Sequence, residues 1–255
     1  MRTFYLVIFS AAFSAAVAMS WPASGPKALD AATPILQPGH YEITRDITGS
    51  FQIDADDVSL DLGGYTIICA ADTPGISAPE RKRVIVRNGT ITDCRIAVNA
   101  PYGENITIDH IKIVDTTFMA VNLSCGSHNN VRHVHIENVT GDPEENYGVG
   151  INGLGSYSTI EDSIILNVNH PEPGHEGVAI IVSDGETAVT IRRTTLLNRL
   201  SKNNIGLWVA ENSSVVIDGG YIKGFERPLE GPGKVEYVQP CKSFYIGALH
   251  LAGCR

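Results

Sequence analysis

One eight-residue pattern recurs along most of the 255-residue chain: apolar, any, apolar, two polar, small or apolar, any, apolar. It reads VIVRNGTI at 84–91, ITIDHIKI at 106–113, VHIENVTG at 134–141, STIEDSII at 158–165, VTIRRTTL at 189–196 and VVIDGGYI at 215–222. VSLDLGGYTI at 58–67 is a longer first copy. Taking Leu60, Val86, Ile108, Ile136, Ile160, Ile191 and Ile217 as equivalent gives spacings of 26, 22, 28, 24, 31 and 26 residues. A period in the range of roughly 20–50 residues points to a solenoid, a propeller or an array.

Each copy is followed by a second alternating segment, such as IAVNA (96–100), MAVNL (119–123), VGING (149–153), VAIIV (178–182) or IGLWV (205–209). Two to three short strands per repeat, with no helical stretch between them, fit one coil of a parallel β-helix. Propeller blades need about 40 residues and carry a Trp-Asp mark, which is absent. The 27 Ile and 21 Val against 15 Leu agree, because β-branched side chains pack well on a pleated surface. Charged residues are only 18% of the chain and apolar ones 43%, which excludes a disordered polyelectrolyte. The net charge of −9 argues against nucleic acid as a partner. The expected fold is all-β: a parallel β-helix (solenoid) of about seven to eight coils, with N- and C-terminal caps.

The ends read differently. Arg2 precedes an apolar run closing on Ala16-Val17-Ala18, the signature of a secretory signal peptide over 1–18. The run is short for a membrane span, and no later segment is long enough. The expected organisation is then a cap over 19–38, which can hold a short turn or helix, a β-helix over 39–225, and a second cap over 226–255. A secreted or periplasmic location permits disulfides. Of the five cysteines, Cys241 and Cys254 bracket the last residues and are expected to staple the C-terminal cap. Cys69 and Cys94 fall one coil apart and are expected to bridge neighbouring repeats, which leaves Cys125 as a buried thiol.

The stretch ADDVSLDLGGYTI and the later copies built on I-x-x-x-x-I resemble the repeats of right-handed parallel β-helix proteins. These are the pectate-lyase-like superfamily and the carbohydrate-binding and sugar-hydrolase repeat proteins. The likeness spans about residues 39–225. It implies the right hand of the coil and a polysaccharide partner. It does not choose between lyase, hydrolase, epimerase and non-catalytic members, since a fold does not dictate a reaction. The Arg-x-Pro-x-x-Arg, Asp-Pro-His-Asp and Gly-His-Gly markers of the catalytic branches are absent.

Stacked coils turn equivalent residues into columns about 4.8 Å apart. One outward column reads Arg87, Asp109, Glu137, Glu161, Arg192, Asp218, a mixed-sign ladder of the kind that blocks stray sheet pairing. Its neighbour reads Asn88, His110, Asn138, Asp162, Arg193. Asp93, Asp115, Pro143, Asn167, Asn198 and Gly224 form a turn column. On the second strand Asn99, Asn122, Asn152, Ile181 and Trp208 face outward, and amides beside an indole suit sugar recognition. Asn122, Asn152 and Trp208 are therefore candidate substrate-binding residues.

The longest insertions are GDPEENYG (141–148) and NVNHPEPGHEG (167–177), at one corner of neighbouring coils. In a solenoid such loops frame a binding face. If the chain is a uronate polysaccharide lyase or epimerase, the reaction needs a base and a group that neutralises the carboxylate. His175 or His170 would be the base, Tyr147 would return the proton, and Arg199 and Lys202 would hold the substrate acid. Alternatively the histidines with Glu172 and Glu176 offer ligands to a divalent cation, the one candidate cofactor. The competing reading is a non-catalytic carbohydrate-binding or cell-envelope protein. A monomer is expected.

Overall fold

The computed structural model describes residues 25–70, 72–183, 188–199, 204–238, 244–246 and 249–251. The signal segment 1–18, Lys202 and the Cys241–Cys254 pair lie outside the described residues. Every described regular element is a strand, and the coils wind a right-handed solenoid of about seven turns.

Each coil is built from one bent path and one short strand. The bent paths stack into a 16-stranded sheet and the short strands into an 8-stranded sheet. The short sheet runs in chain order, with strands such as Ile96–Asn99, Met119–Asn122, Tyr147–Asn152, Glu176–Val182 and Asn204–Val209. All pairings are parallel except the last, between Phe244–Ile246 and Leu249–Leu251. Parallel pairing begins at Lys27–Leu29, a strand on Tyr41–Ile43 rather than the turn or helix expected there, and it continues through Lys234–Tyr237 to Phe244–Ile246.

The bends have a local cause. Asn88, His110, His133, Asp162, Arg193 and Gly219 all have φ between 43° and 74°, so one left-handed residue turns each path between two faces. Asp93, Asp115, Asn138 and Asn167 form a second left-handed corner. Asn, Asp and His tolerate this region best among non-glycine residues. Asn138 donates to Asp115 at 3.1 Å and Asn167 to Asn138 at 3.3 Å, so this corner is an amide and carboxylate ladder. Asn138, not Pro143, is its fourth-coil member.

The fourth repeat therefore starts earlier than the aliphatic pattern indicates. Ile108 pairs with Val131, and Ile136 pairs with Ile113. The true series is Leu60, Val86, Ile108, Val131, Ile160, Ile191, Ile217, with spacings of 26, 22, 23, 29, 31 and 26 residues. The outward charged column becomes Asp61, Arg87, Asp109, Arg132, Glu161, Arg192, Asp218. Arg132 replaces Glu137, and the signs now alternate without a break. Arg87 bonds Asp61 at 2.8 Å and Arg132 bonds Asp109 at 3.0 Å.

Inside, Val86, Ile108, Val131, Ile160 and their neighbours are fully buried in one continuous core. Cys69 and Cys94 form the expected disulfide between successive coils, with Cα atoms 5.0 Å apart. Cys125 is exposed rather than buried, because it lies in a corner loop with φ 56° instead of on an inward strand position.

Candidate functional site

The short-strand sheet presents one column outward. Its register runs Gln52, Ser77, Asn99, Asn122, Asn152 and, in later coils, Ile181, Trp208 and Glu230. Asn122 donates its Nδ2 hydrogen to Asn99 Oδ1 at 2.8 Å, and Asn152 donates to Asn122 Oδ1 at 3.1 Å. The three amides are thereby locked in one orientation along the solenoid axis.

Where the amides give way to Ile181 and Trp208, the surface sinks into an open groove of about 340 Å³. Its floor is apolar, made by Val178, Ile181, Ile205 and Trp208. Its polar margin carries Tyr147, Asn152, Glu176 and Ser183. Tyr147 and Glu176 are register partners on adjacent strands, so both residues stand at one end of the groove.

The two loops form the wall beside that end. Arg95 reaches from an earlier coil and bonds Asp142 Oδ2 and Glu145 Oε1, both at 2.8 Å. Its guanidinium lies 4.7 Å from the centroid of Phe118, which packs 5.9 Å from Tyr147. The bond to Asp142 pushes the Arg95 guanidinium further up. The Glu144 backbone N–H and the Arg95 guanidinium hold the Asp142 carboxyl below its ordinary range.

His170 pins the 141–148 loop to the 167–177 loop. Its Nδ1 accepts from the Glu172 N–H at 3.1 Å, so Nε2 carries the proton and donates to the carbonyls of Asp142 and Glu145, both at 3.0 Å. Both ring nitrogens are thus engaged in structure. The ring also lies against the bare backbone of Gly141, where a Cβ would fall 1.9 Å from its Cδ2. His175 packs edge-on to His170 at 4.5 Å, with Nδ1 3.8 Å from Glu172 Oε2.

Glu176 is held by Arg227 at 2.6 Å, and Arg227 also bonds Glu230 at 2.9 Å. The Glu176 bond drives the Arg227 guanidinium up. Glu172 and Glu176 are therefore engaged separately, the first beside His175 and the second by Arg227. Arg199 is exposed, and its backbone N–H donates to Asn167 Oδ1 at 3.2 Å.

Of the residues singled out from sequence, the structure brings Tyr147, Asn152, Glu176 and Trp208 to one groove, with Asn122 adjoining it. His170, His175 and Glu172 gather in the loop wall. Sequence reasoning missed Arg95, Phe118 and Arg227. Arg95 lies 47 residues from Asp142, and no local pattern connects the two. Among the described residues, one group of His and Asp brings its ligand atoms within 4.8 Å of one another: Asp109, His110 and His133. It lies on the other sheet.

A sequence profile described as "Right handed beta helix region" matches residues 63–196. No curated protein sequence matches the chain. Solved structures with a similar fold include the surface protein and adhesin PfbA of Streptococcus pneumoniae, 12% identical, covering 84% of this chain and 80% of that one at a TM-score of 0.42. An alginate lyase from Paenibacillus sp. strain FPU-7 is 12% identical, covering 78% of this chain and 93% of that one at 0.44. The catalytic domain of a GH87 α-1,3-glucanase in complex with nigerose is 12% identical, covering 83% and 51% at 0.40.

Proposed function

The chain belongs to the right-handed β-helix family, and on that premise we propose that it binds a polysaccharide in the groove over Trp208. The observation that carries this reading is the continuity of an indole-floored groove with a pre-aligned row of amides. A sugar ring offers an apolar C–H face and a rim of hydroxyls. The indole receives the first, and Asn152, Ser183, Tyr147 and Glu176 can hydrogen-bond the second. A chain of sugars laid along the solenoid axis continues from Trp208 onto the amides of Asn152, Asn122 and Asn99. Fixing those amides beforehand reduces the ordering cost of binding.

The bound glycan is neutral in this reading. None of the described groove-lining residues is Arg or Lys. Arg95 and Arg227 each bond two carboxylates of the protein itself. A uronate would bring its charge to a margin that already carries Glu176. Binding is accordingly placed ahead of uronate lyase or epimerase chemistry, for which His170 Nδ1, the lone pair a base would use, would have to give up the Glu172 N–H. The Tyr147–Glu176 pair marks the end of the groove at which any bond-making chemistry would sit. The Cys69–Cys94 disulfide suits an oxidising compartment and so supports an exported, secreted or periplasmic protein.

Affinity for neutral oligosaccharides, screened on a glycan array and quantified by calorimetry, tests this. Trp208→Ala should weaken binding at least about tenfold, equivalent to about 1.4 kcal/mol, with the fold unchanged by circular dichroism. Tight binding of uronates instead of neutral glycans, or binding indifferent to Trp208→Ala, would remove the proposal.

A further inference from the structure

We infer that Asp109, His110 and His133 form a binding site for one divalent transition-metal ion of the zinc type, on the long-strand sheet and separate from the groove. His110 and His133 occupy the same left-handed corner in successive coils, with φ of 54° and 52°. Their rings stack with centroids 4.3 Å apart. Both rings turn Nδ1 toward one oxygen of Asp109: His110 at 2.7 Å and His133 at 3.0 Å. Two imidazoles and a carboxylate are a donor set that zinc, nickel and copper favour.

With metal–ligand bonds of about 2.0–2.2 Å, tetrahedral donors lie about 3.3 Å apart, so the two imidazole–carboxylate spacings of 2.7 and 3.0 Å need only a slight opening to admit an ion. The carboxylate is oriented from behind, because Arg132 bonds its second oxygen at 3.0 Å and leaves Oδ1 facing the rings. Supporting bonds of this kind to the outer oxygen are typical of metal-binding carboxylates. Asp162 approaches His133 Nε2 at 4.0 Å, and Arg193 holds that carboxylate at 2.6 Å. The histidine side chains are 58% and 42% exposed, so an ion held by three protein donors would keep a position open to water. The corner gives each histidine its place. Elsewhere in the column Asn88 and Asp162 satisfy the left-handed turn.

The test is calorimetric titration of tag-free full chain with Zn²⁺, alongside the visible spectrum on adding Co²⁺, whose bands report tetrahedral coordination. His110→Asn and His133→Asn are suitable variants because Asn tolerates the left-handed corner. The expected result is one Zn²⁺ per chain, weakened at least about tenfold by either substitution, and unchanged by His128→Asn at another left-handed corner. Absence of Zn²⁺ uptake by the unmodified chain would overturn the inference. So would uptake insensitive to both variants, or uptake lost only in His175→Asn, which would put the ion among the loop residues.

Discussion

Asn129 and Ser158 stand in an inward column that Val58, Val84, Ile106, Val189 and Val215 fill in other coils. Both are about 1% exposed. A polar side chain at such depth is tolerable only when bonded. Asn129 Oδ1 accepts the Ile106 N–H at 2.9 Å, and Ser158 Oγ accepts the Asn129 N–H at 3.2 Å. These two side chains serve backbone donors of neighbouring rungs where the coils widen to carry the loops. Asn129→Ala should cost roughly 1–3 kcal/mol, since it strands a buried N–H. Urea unfolding measures this, and a change below about 0.5 kcal/mol, the scale of an ordinary surface substitution, would mean that the bond is dispensable. Asn129 also explains why the aliphatic rhythm places the fourth repeat out of register. With Asn at its inward position, the rhythm realigns on Val134 and Ile136. That register puts Asn138 where His133 belongs and hides the histidine pair beside Asp109.

Among elements, the 141–148 loop shows how a surface insertion is made rigid enough to border a groove. Arg95 holds its two acids, His170 holds two of its carbonyls, and Phe118 supports Tyr147 at its end. Arg95→Ala should loosen the loop, speeding limited proteolysis within 141–148 and weakening glycan binding while leaving the global unfolding midpoint nearly unchanged. The clasp also has a pH sign. The Asp142 carboxyl is depressed in the folded state, so its contribution is complete above the ordinary aspartate value of about 3.9. That contribution fades as the pH falls through the lower folded value. Proteolysis of the unmodified loop should therefore approach that of Arg95→Ala only under strongly acidic conditions. An equal cleavage rate for the two proteins at neutral pH would contradict the clasp. None of this was legible from sequence beyond the loop positions, because the partners are far apart in the chain and meet only through stacking.

At the scale of the whole molecule, one geometric fact organises the rest. Every coil repeats the same path, so a residue's neighbours are its equivalents one turn away. That is why the fold, the Cys69–Cys94 bridge and the outward Asn99–Asn122–Asn152 row could be read from spacing alone. The period carries the register, and the register carries the columns. The alternating column from Asp61 to Asp218 belongs to the same logic. Its surface pairs each add little stability, but a one-coil slip would set like charges side by side. The groove was only half legible. Trp208 and the amides lie on the repeat, whereas its depth depends on Val178 and Ile205. These look like ordinary strand residues in the sequence.

The central claim is that this surface, not the loop histidines, meets the glycan. The most direct measurement is two-dimensional NMR of the side-chain amides and indole during titration with a neutral oligosaccharide identified on the array. The account predicts selective shifts of the Asn122 and Asn152 Nδ2 groups and of the Trp208 indole N–H. Shifts confined to the loops at 141–148 and 167–177, with those three signals unmoved, would contradict it.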